Sequence, residues 1–196
     1  MSDRTLDRWA ESLITLPREA HAAIIDEFDR VLSDAVDEAP LQGVLASSGS
    51  LLAPLAPPGS DFWCLDRPRL GAELIPDFLL ASRTSEGFRW AMIELEAPNE
   101  RVLTKAGLPA TKLAQALKQV RDWRSWLTDN VAYARTELGL KDIEASCPAY
   151  VIIGRRSHLD GNQARTYRAL SSDGTTVMSY DRLRDLMGRN ALNNEV

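Results

Sequence analysis

The chain is poor in the residues that build many small-molecule and metal sites. Among its 196 residues are two cysteines, Cys64 and Cys147, and two histidines, His21 and His158. Two thiols are too few for a disulfide framework, and neither residue type recurs at the spacing of a zinc site. No stretch approaches the roughly 20 apolar residues that span a bilayer. The first residues, with Asp3, Arg4, Asp7 and Arg8 and no apolar run behind them, do not read as a signal peptide. There is no P-loop, no GxGxxG after a strand, no HExxH and no GxSxG. The expectation is a cytoplasmic protein with no membrane partner, no nucleotide cofactor and no motor of its own.

What is present is the balance of one soluble domain, with 44% hydrophobic and 26% charged residues. The net charge of -5 hides an asymmetry: residues 1–96 carry 8 Lys and Arg against 17 Asp and Glu, and residues 97–196 carry 15 against 11. A locally basic surface is therefore compatible with an acidic chain.

Periodicity predicts the elements. Pro17 suits a first helical turn, and Ala20, Ile24, Phe28, Val31, Leu32 and Ala35 form an apolar stripe behind it. Pro40 restarts a short helix to about Ala46, with Leu41, Val44 and Leu45 inward. Residues 54–60 are a turn-rich connector. Residues 74–82 and 88–95 read as strands around a polar turn, and residues 97–109 as an irregular loop. A long helix follows from Thr111 to about Leu138, its apolar side made of Leu113, Ala116, Leu117, Val120, Trp123 and Leu127. Residues 149–153 and 175–179 are short strands, and Asp160-Gly161 and Asp173-Gly174 are turns. Asp181 is placed to cap a last helix that Gly188 would stop. This order predicts an α/β (α+β) fold, a mixed central sheet flanked by helices.

The chemistry lies in Ile75-Pro76-Asp77-Phe78 and Ile93-Glu94-Leu95-Glu96. Carboxylates inside apolar strands are costly unless something compensates them. A turn centred near Ser85 sets Asp77 opposite Ile93, and a one-residue shift sets it opposite Glu94 itself. Glu94 and Glu96 leave the same face, so two or three carboxylates converge. Crowding and burial both disfavour their charged forms, and a divalent cation relieves both costs. Oxygen donors without imidazole or thiolate favour Mg²⁺ or Mn²⁺, which suit phosphoryl chemistry. The bland alternative is a set of ordinary salt bridges to Arg89, Lys105 or Arg121.

Asp77, the run from Ile93 to Pro98 (IELEAP) and Gln119 together resemble the PD-(D/E)XK nuclease superfamily, and within it the nuclease domain of Shedu anti-phage defence proteins. Residues 38–45 resemble that family's opening acidic helix, residues 116–123 its glutamine-bearing helix, and residues 150–155 and 179–183 its last strand and final helix entry. The likeness spans roughly residues 36–188, so residues 1–36 are set apart as an N-terminal helical segment and residues 37–196 as the nuclease domain.

The resemblance implies a restriction-endonuclease-like core and a metal-dependent DNA endonuclease or nickase acting in anti-phage defence as a homo-oligomer. It implies that Asp77 and Glu94 are metal ligands, that Glu38 completes or supports the metal site, and that Gln119 supports it from the helix. Glu96 stands where the superfamily most often has a lysine that orients or deprotonates the attacking water. A glutamate there could bind metal or accept a proton, but it brings no positive charge. Lys105, Lys112 and Lys118 are the replacements within reach. Lys105, Lys118, Arg121 and Arg155 are candidate contacts to DNA phosphates. His158 reads as a surface loop residue. A nuclease fold that binds without cutting, and a purely structural subunit, remain open readings of the same residues.

Overall fold

The long antiparallel hairpin at the centre of the chain organises everything else in the computed structural model, which describes residues 22–159 and 170–192. Strands β2 (Phe78–Thr84) and β3 (Gly87–Leu95) pair from Phe78 opposite Ile93 down to Thr84 opposite Gly87. Ser85 and Glu86 form the two-residue turn, and Gly87 supplies a φ of 121° that an L side chain resists. Strand β1 (Phe62–Asp66) adds antiparallel to β2, while β4 (Ala149–Ile152) and β5 (Thr175–Met178) add parallel beyond β3. The mixed five-stranded sheet has the order β1-β2-β3-β4-β5, as the alternation of elements predicts.

Strand alternation sends Leu79, Ala81, Trp90, Met92, Val151 and Val177 to one face, under helix α3 (Thr111–Thr136). Its buried residues Leu113, Ala116, Val120, Trp123 and Leu127 match the predicted stripe. Phe78, Leu80, Ala91, Ile93, Leu95, Ile152 and Met178 face the other way. They pack against α1 (Ala22–Asp34), α2 (Ala39–Ser47), the 3-10 turn Gly49–Leu55 and α4 (Tyr180–Leu192). Ile25, Phe28 and Leu32 of α1 are buried there. From Ala22 onward, the segment set apart at residues 1–36 thus shares this core. Among the described residues no helix is long and apolar enough to cross a membrane, and both cysteines are free thiols.

Several local expectations change. Strand β1 goes unread in the sequence because FWCLD lacks clean alternation. The strand expected from residue 74 begins at Phe78 because Pro76 has no N–H for the ladder. Gly188 does not stop the last helix, which runs to Leu192. The cap of that helix is Ser179, whose hydroxyl accepts the Arg182 N–H at 3.3 Å, rather than Asp181. Within α3, Asn130 leaves helical geometry at φ -125° and ψ 21°, and its side-chain amide donates to the Trp126 carbonyl at 2.9 Å. That bond competes with the backbone ladder and accompanies the kink. The Asp160-Gly161 turn, Pro17, Ala20 and His21 lie outside the described residues.

Candidate active site

The hairpin register decides which carboxylates meet. Since Phe78 pairs with Ile93, continuing the ladder one step sets Asp77 opposite Glu94, the shifted alternative of the two. Asp77 Oδ2 accepts the Leu95 N–H at 2.7 Å, which ties the carboxylate to the end of β3. Asp77, Glu94 and Glu96 all take the α3 side of the sheet by alternation. Glu94 and Glu96 are 5% and 6% exposed. Beyond Glu94 the strand is held open at its end: the Glu96 N–H donates to the Ile152 carbonyl, and the buried Tyr180 hydroxyl donates to the Glu96 carbonyl, both at 2.9 Å.

Helix α3 closes the other side. Lys112, Gln115, Gln119 and Asp122 follow one another at three, four and three residues. They form a polar stripe beside the buried one and line a cleft of about 380 Å³ together with Glu38, Glu94 and Glu96. Glu38 enters at the start of α2, where its side chain makes no capping bond to the helix.

The cleft is strongly acidic. Burial, then the nearby charges of Asp77, Glu96 and Glu38, push the Glu94 carboxyl up to about 9 against the partial relief of a hydrogen bond from Gln119. Burial pushes Glu96 up to about 7, although Lys112 opposes it. Burial likewise raises Asp77 to about 6 despite the Leu95 hydrogen bond. Glu94 Oε2 is buried with no hydrogen-bond partner. An orphaned carboxylate oxygen among other carboxylates fits a hard divalent cation. Among the described residues no three His, Cys, Asp or Glu side chains form a complete metal cluster. Mg²⁺ suits such a place, because it is commonly held by one or two carboxylates with water and phosphate oxygens completing its shell.

The salt-bridge alternative fares poorly here. Arg89 pairs with Glu86 at 2.7 Å, and Lys118 with Asp122 at 2.6 Å. Among the described residues the one ion pair to Glu94 or Glu96 is that of Lys112, its Nζ 3.8 Å from Glu96 Oε2, while the Arg67 charge acts on Asp77.

Comparison with family models places residues 22–184 in the family described as Shedu protein SduA, C-terminal. The chain belongs to the Shedu SduA family. Membership suggests a part in anti-phage defence. Comparison with curated proteins finds no match.

On this Shedu chain the other sequence-predicted residues disperse. Lys118 borders the cleft but is held by Asp122, and Arg121 is exposed on the same helix. Lys105 stands on the loop after β3, in a neighbouring cleft that His158 also lines. Arg155 is committed elsewhere: its guanidinium donates to both Asp181 oxygens at 3.0–3.2 Å and to the Leu32 carbonyl at 3.0 Å. It joins α1 to α4, and a guanidinium so engaged has little left for a phosphate. We expect Arg155→Ala to lose about 1.5–3 kcal/mol of stability, the range for hydrogen bonds to charged groups, with DNA affinity unchanged. Urea unfolding beside a binding titration checks both.

Sequence reasoning passed over Gln115, Asp122 and Tyr180. The first two were signalled by the polar stripe alongside the apolar one. Tyr180 carried no signal, because its partner is a backbone carbonyl 84 residues away.

Proposed function

We propose that this Shedu domain is a metal-dependent DNA endonuclease or nickase of PD-(D/E)XK type. The observation that carries the proposal is Glu94 Oε2, buried without a partner beside Asp77 and Glu96 on one end of the sheet. The hydrogen bond from Gln119 offsets such a charge only in part, and a bound cation would offset it further. Asp77 and Glu94 would hold Mg²⁺ or Mn²⁺, with Glu96 and Glu38 beside them. When bound, the ion would supply Lewis acidity, lowering the pKa of an attacking water and neutralising charge on the scissile phosphate.

The chain's own residues would do the rest. The Leu95 N–H bond fixes Asp77, and Tyr180 fixes the strand end that carries Glu96. Gln119 orients the Glu94 carboxyl. Lys112 supplies the positive charge that Glu96 withholds from the usual lysine position, reaching in from the first turn of α3. Glu96 positions that ammonium and can take a proton from the attacking water. Phosphates of the bound DNA would meet Lys118 and Arg121 along α3 and Lys105 in the neighbouring cleft, and the domain would act as a homo-oligomer.

The test is nicking of supercoiled plasmid with Mg²⁺ or Mn²⁺. Metal-dependent conversion to open circle is expected; intact plasmid under both metals, with DNA still bound, would favour the binding-only reading that Glu96 motivates. Lys112→Ala should lower the nicking rate by ~10²-fold, the scale of one general acid-base or electrostatic group. Lys112→Arg should recover part of it. Unchanged single-turnover rates in Lys112→Ala would remove Lys112 from the chemistry.

A further inference from the structure

Beside the acidic cleft lies a second, of about 550 Å³ and opposite character. Asn99, Arg101 and Lys105 from the loop after β3 and Ser157 and His158 from the turn after β4 line it, together with two leucines packed into the core, Leu103 and Leu159. No carboxylate is among these lining residues. Because β3 and β4 are parallel neighbours, both loops emerge at the same end of the sheet as Glu94 and Glu96.

The two walls are fastened to each other. The Gly154 N–H donates to the Ala97 carbonyl at 3.2 Å. A Cβ at Gly154 would sit 2.7 Å from the Glu100 carbonyl oxygen, so only glycine, here at φ 69°, lets the loops approach this closely. The loop after β3 is closed further by Thr104 N–H donating to the Leu108 carbonyl at 2.8 Å and by the bridge between Leu103 and Pro109. Arg155, clamped to Asp181, anchors the other wall.

The cations divide into two classes. Arg155 and Arg156, next to the cleft in sequence, are neutralised by Asp181 and Asp185. Arg101 and Lys105, which line it, have no acidic partner among the described residues, and the His158 imidazole lines the same cleft as a neutral N–H donor. Exposed cations on a fixed concave surface, backed by amide and hydroxyl donors, suit a chain of phosphates.

We infer that this cleft is the seat for the DNA backbone flanking the scissile phosphate, with Arg101, Lys105 and His158 as its phosphate contacts. Repulsion makes the acidic cleft a poor hold on DNA, so affinity comes from the basic cleft and position from the carboxylates. The inference rests on the nuclease reading only in taking the polyanion to be DNA.

The experiment measures binding of a short fluorescent duplex over a series of salt concentrations, with Ca²⁺ replacing Mg²⁺ and the duplex checked as uncut. The double variant Arg101→Glu/Lys105→Glu, at exposed positions and with its melting temperature verified, is compared with wild type. Arg89→Glu, at the opposite end of β3, serves as control. The double variant should bind at least ~10-fold more weakly, with a log-log salt slope shallower by about 2, one for each phosphate that no longer meets a cation. Arg89→Glu should bind as wild type does.

The inference is overturned if the double variant keeps wild-type affinity and slope, if Arg89→Glu weakens binding equally, or if the wild type binds no DNA. It is overturned too if inorganic tripolyphosphate binding is abolished in the double variant while DNA binding is not, since the cleft would then serve a small polyanion. Binding through the cleft without nicking by the wild type would instead sink the nuclease reading and leave the cleft standing.

Discussion

Glu94→Ala and Asp77→Ala are each expected to lower Mg²⁺-dependent nicking by at least ~10³-fold, to the floor of a plasmid assay, while leaving the fold intact. The size follows from what each carboxylate is asked to do. Glu94 is buried at 5% exposure with an unpartnered oxygen, and Asp77 lies opposite it, fixed by the Leu95 N–H. On the proposed reading, loss of either would leave the cation with half of its central pair, and a misplaced or absent ion would forfeit both water activation and phosphate neutralisation. Removal of a single preorganised electrostatic group commonly costs ~10²–10³-fold. Glu38→Ala should cost less, because Glu38 belongs to another element and its side chain makes no capping bond to its helix. Plasmid conversion by matched amounts of folded protein measures the effect. Wild-type rates in either Glu94→Ala or Asp77→Ala would dismiss the metal site.

The second large effect is on stability, and it runs against the usual pattern for carboxylates. In the folded, metal-free protein the Glu94 carboxyl titrates near 9 against an ordinary value of 4.5, with Glu96 near 7 and Asp77 near 6. Burial is the leading cause in all three. Between the ordinary and the raised values the folded state holds protons that the unfolded chain has released. The favourable contribution is therefore complete below about pH 4.5 and lost as pH climbs toward 9.

In EDTA, raising the pH from 5 to 8 should destabilise the protein by on the order of 4 kcal/mol through Glu94 alone, since a full mismatch is worth about 1.4 kcal/mol per pH unit, and Glu96 and Asp77 add to it. For a domain of this size about 4 kcal/mol corresponds to a fall of roughly 8–16 °C in melting temperature. Glu94→Gln, which cannot ionise, should remove the largest single share of the fall. Mg²⁺ should raise the melting temperature more at pH 8 than at pH 5, because protons and cation compete for the same oxygens. Differential scanning fluorimetry at both pH values, with and without metal, reads all of this. A flat profile in EDTA would show that the three carboxyls are better solvated than their burial indicates.

The kinetic and the thermal experiments probe one arrangement from two sides. On the proposed reading, a site that crowds Asp77, Glu94 and Glu96 gives up stability at neutral pH to hold carboxylate oxygens ready for an ion. The same carboxylates that weaken the metal-free fold at neutral pH are those whose removal should stop the reaction.

Much of this was readable from the chain alone. Apolar periodicity placed the long helix from Thr111 and its buried face, from Leu113 to Leu127, because a helix under a sheet needs a continuous apolar stripe. Three acids at and beside two apolar strands marked the candidate site, because desolvating an unpaired carboxylate is costly. Tertiary structure decided what depends on contacts distant in sequence. The choice between Ile93 and Glu94 as Asp77's partner turned on one residue of hairpin register, which a two-residue turn fixed. Lys112 rather than Lys105 or Lys118 came within 3.8 Å of Glu96, since helix rotation, set by packing of the whole apolar face, selects which lysine points at the strand. Arg155 left the set of phosphate contacts because Asp181 and the Leu32 carbonyl captured it, and nothing in the local sequence encodes a partner 123 residues away.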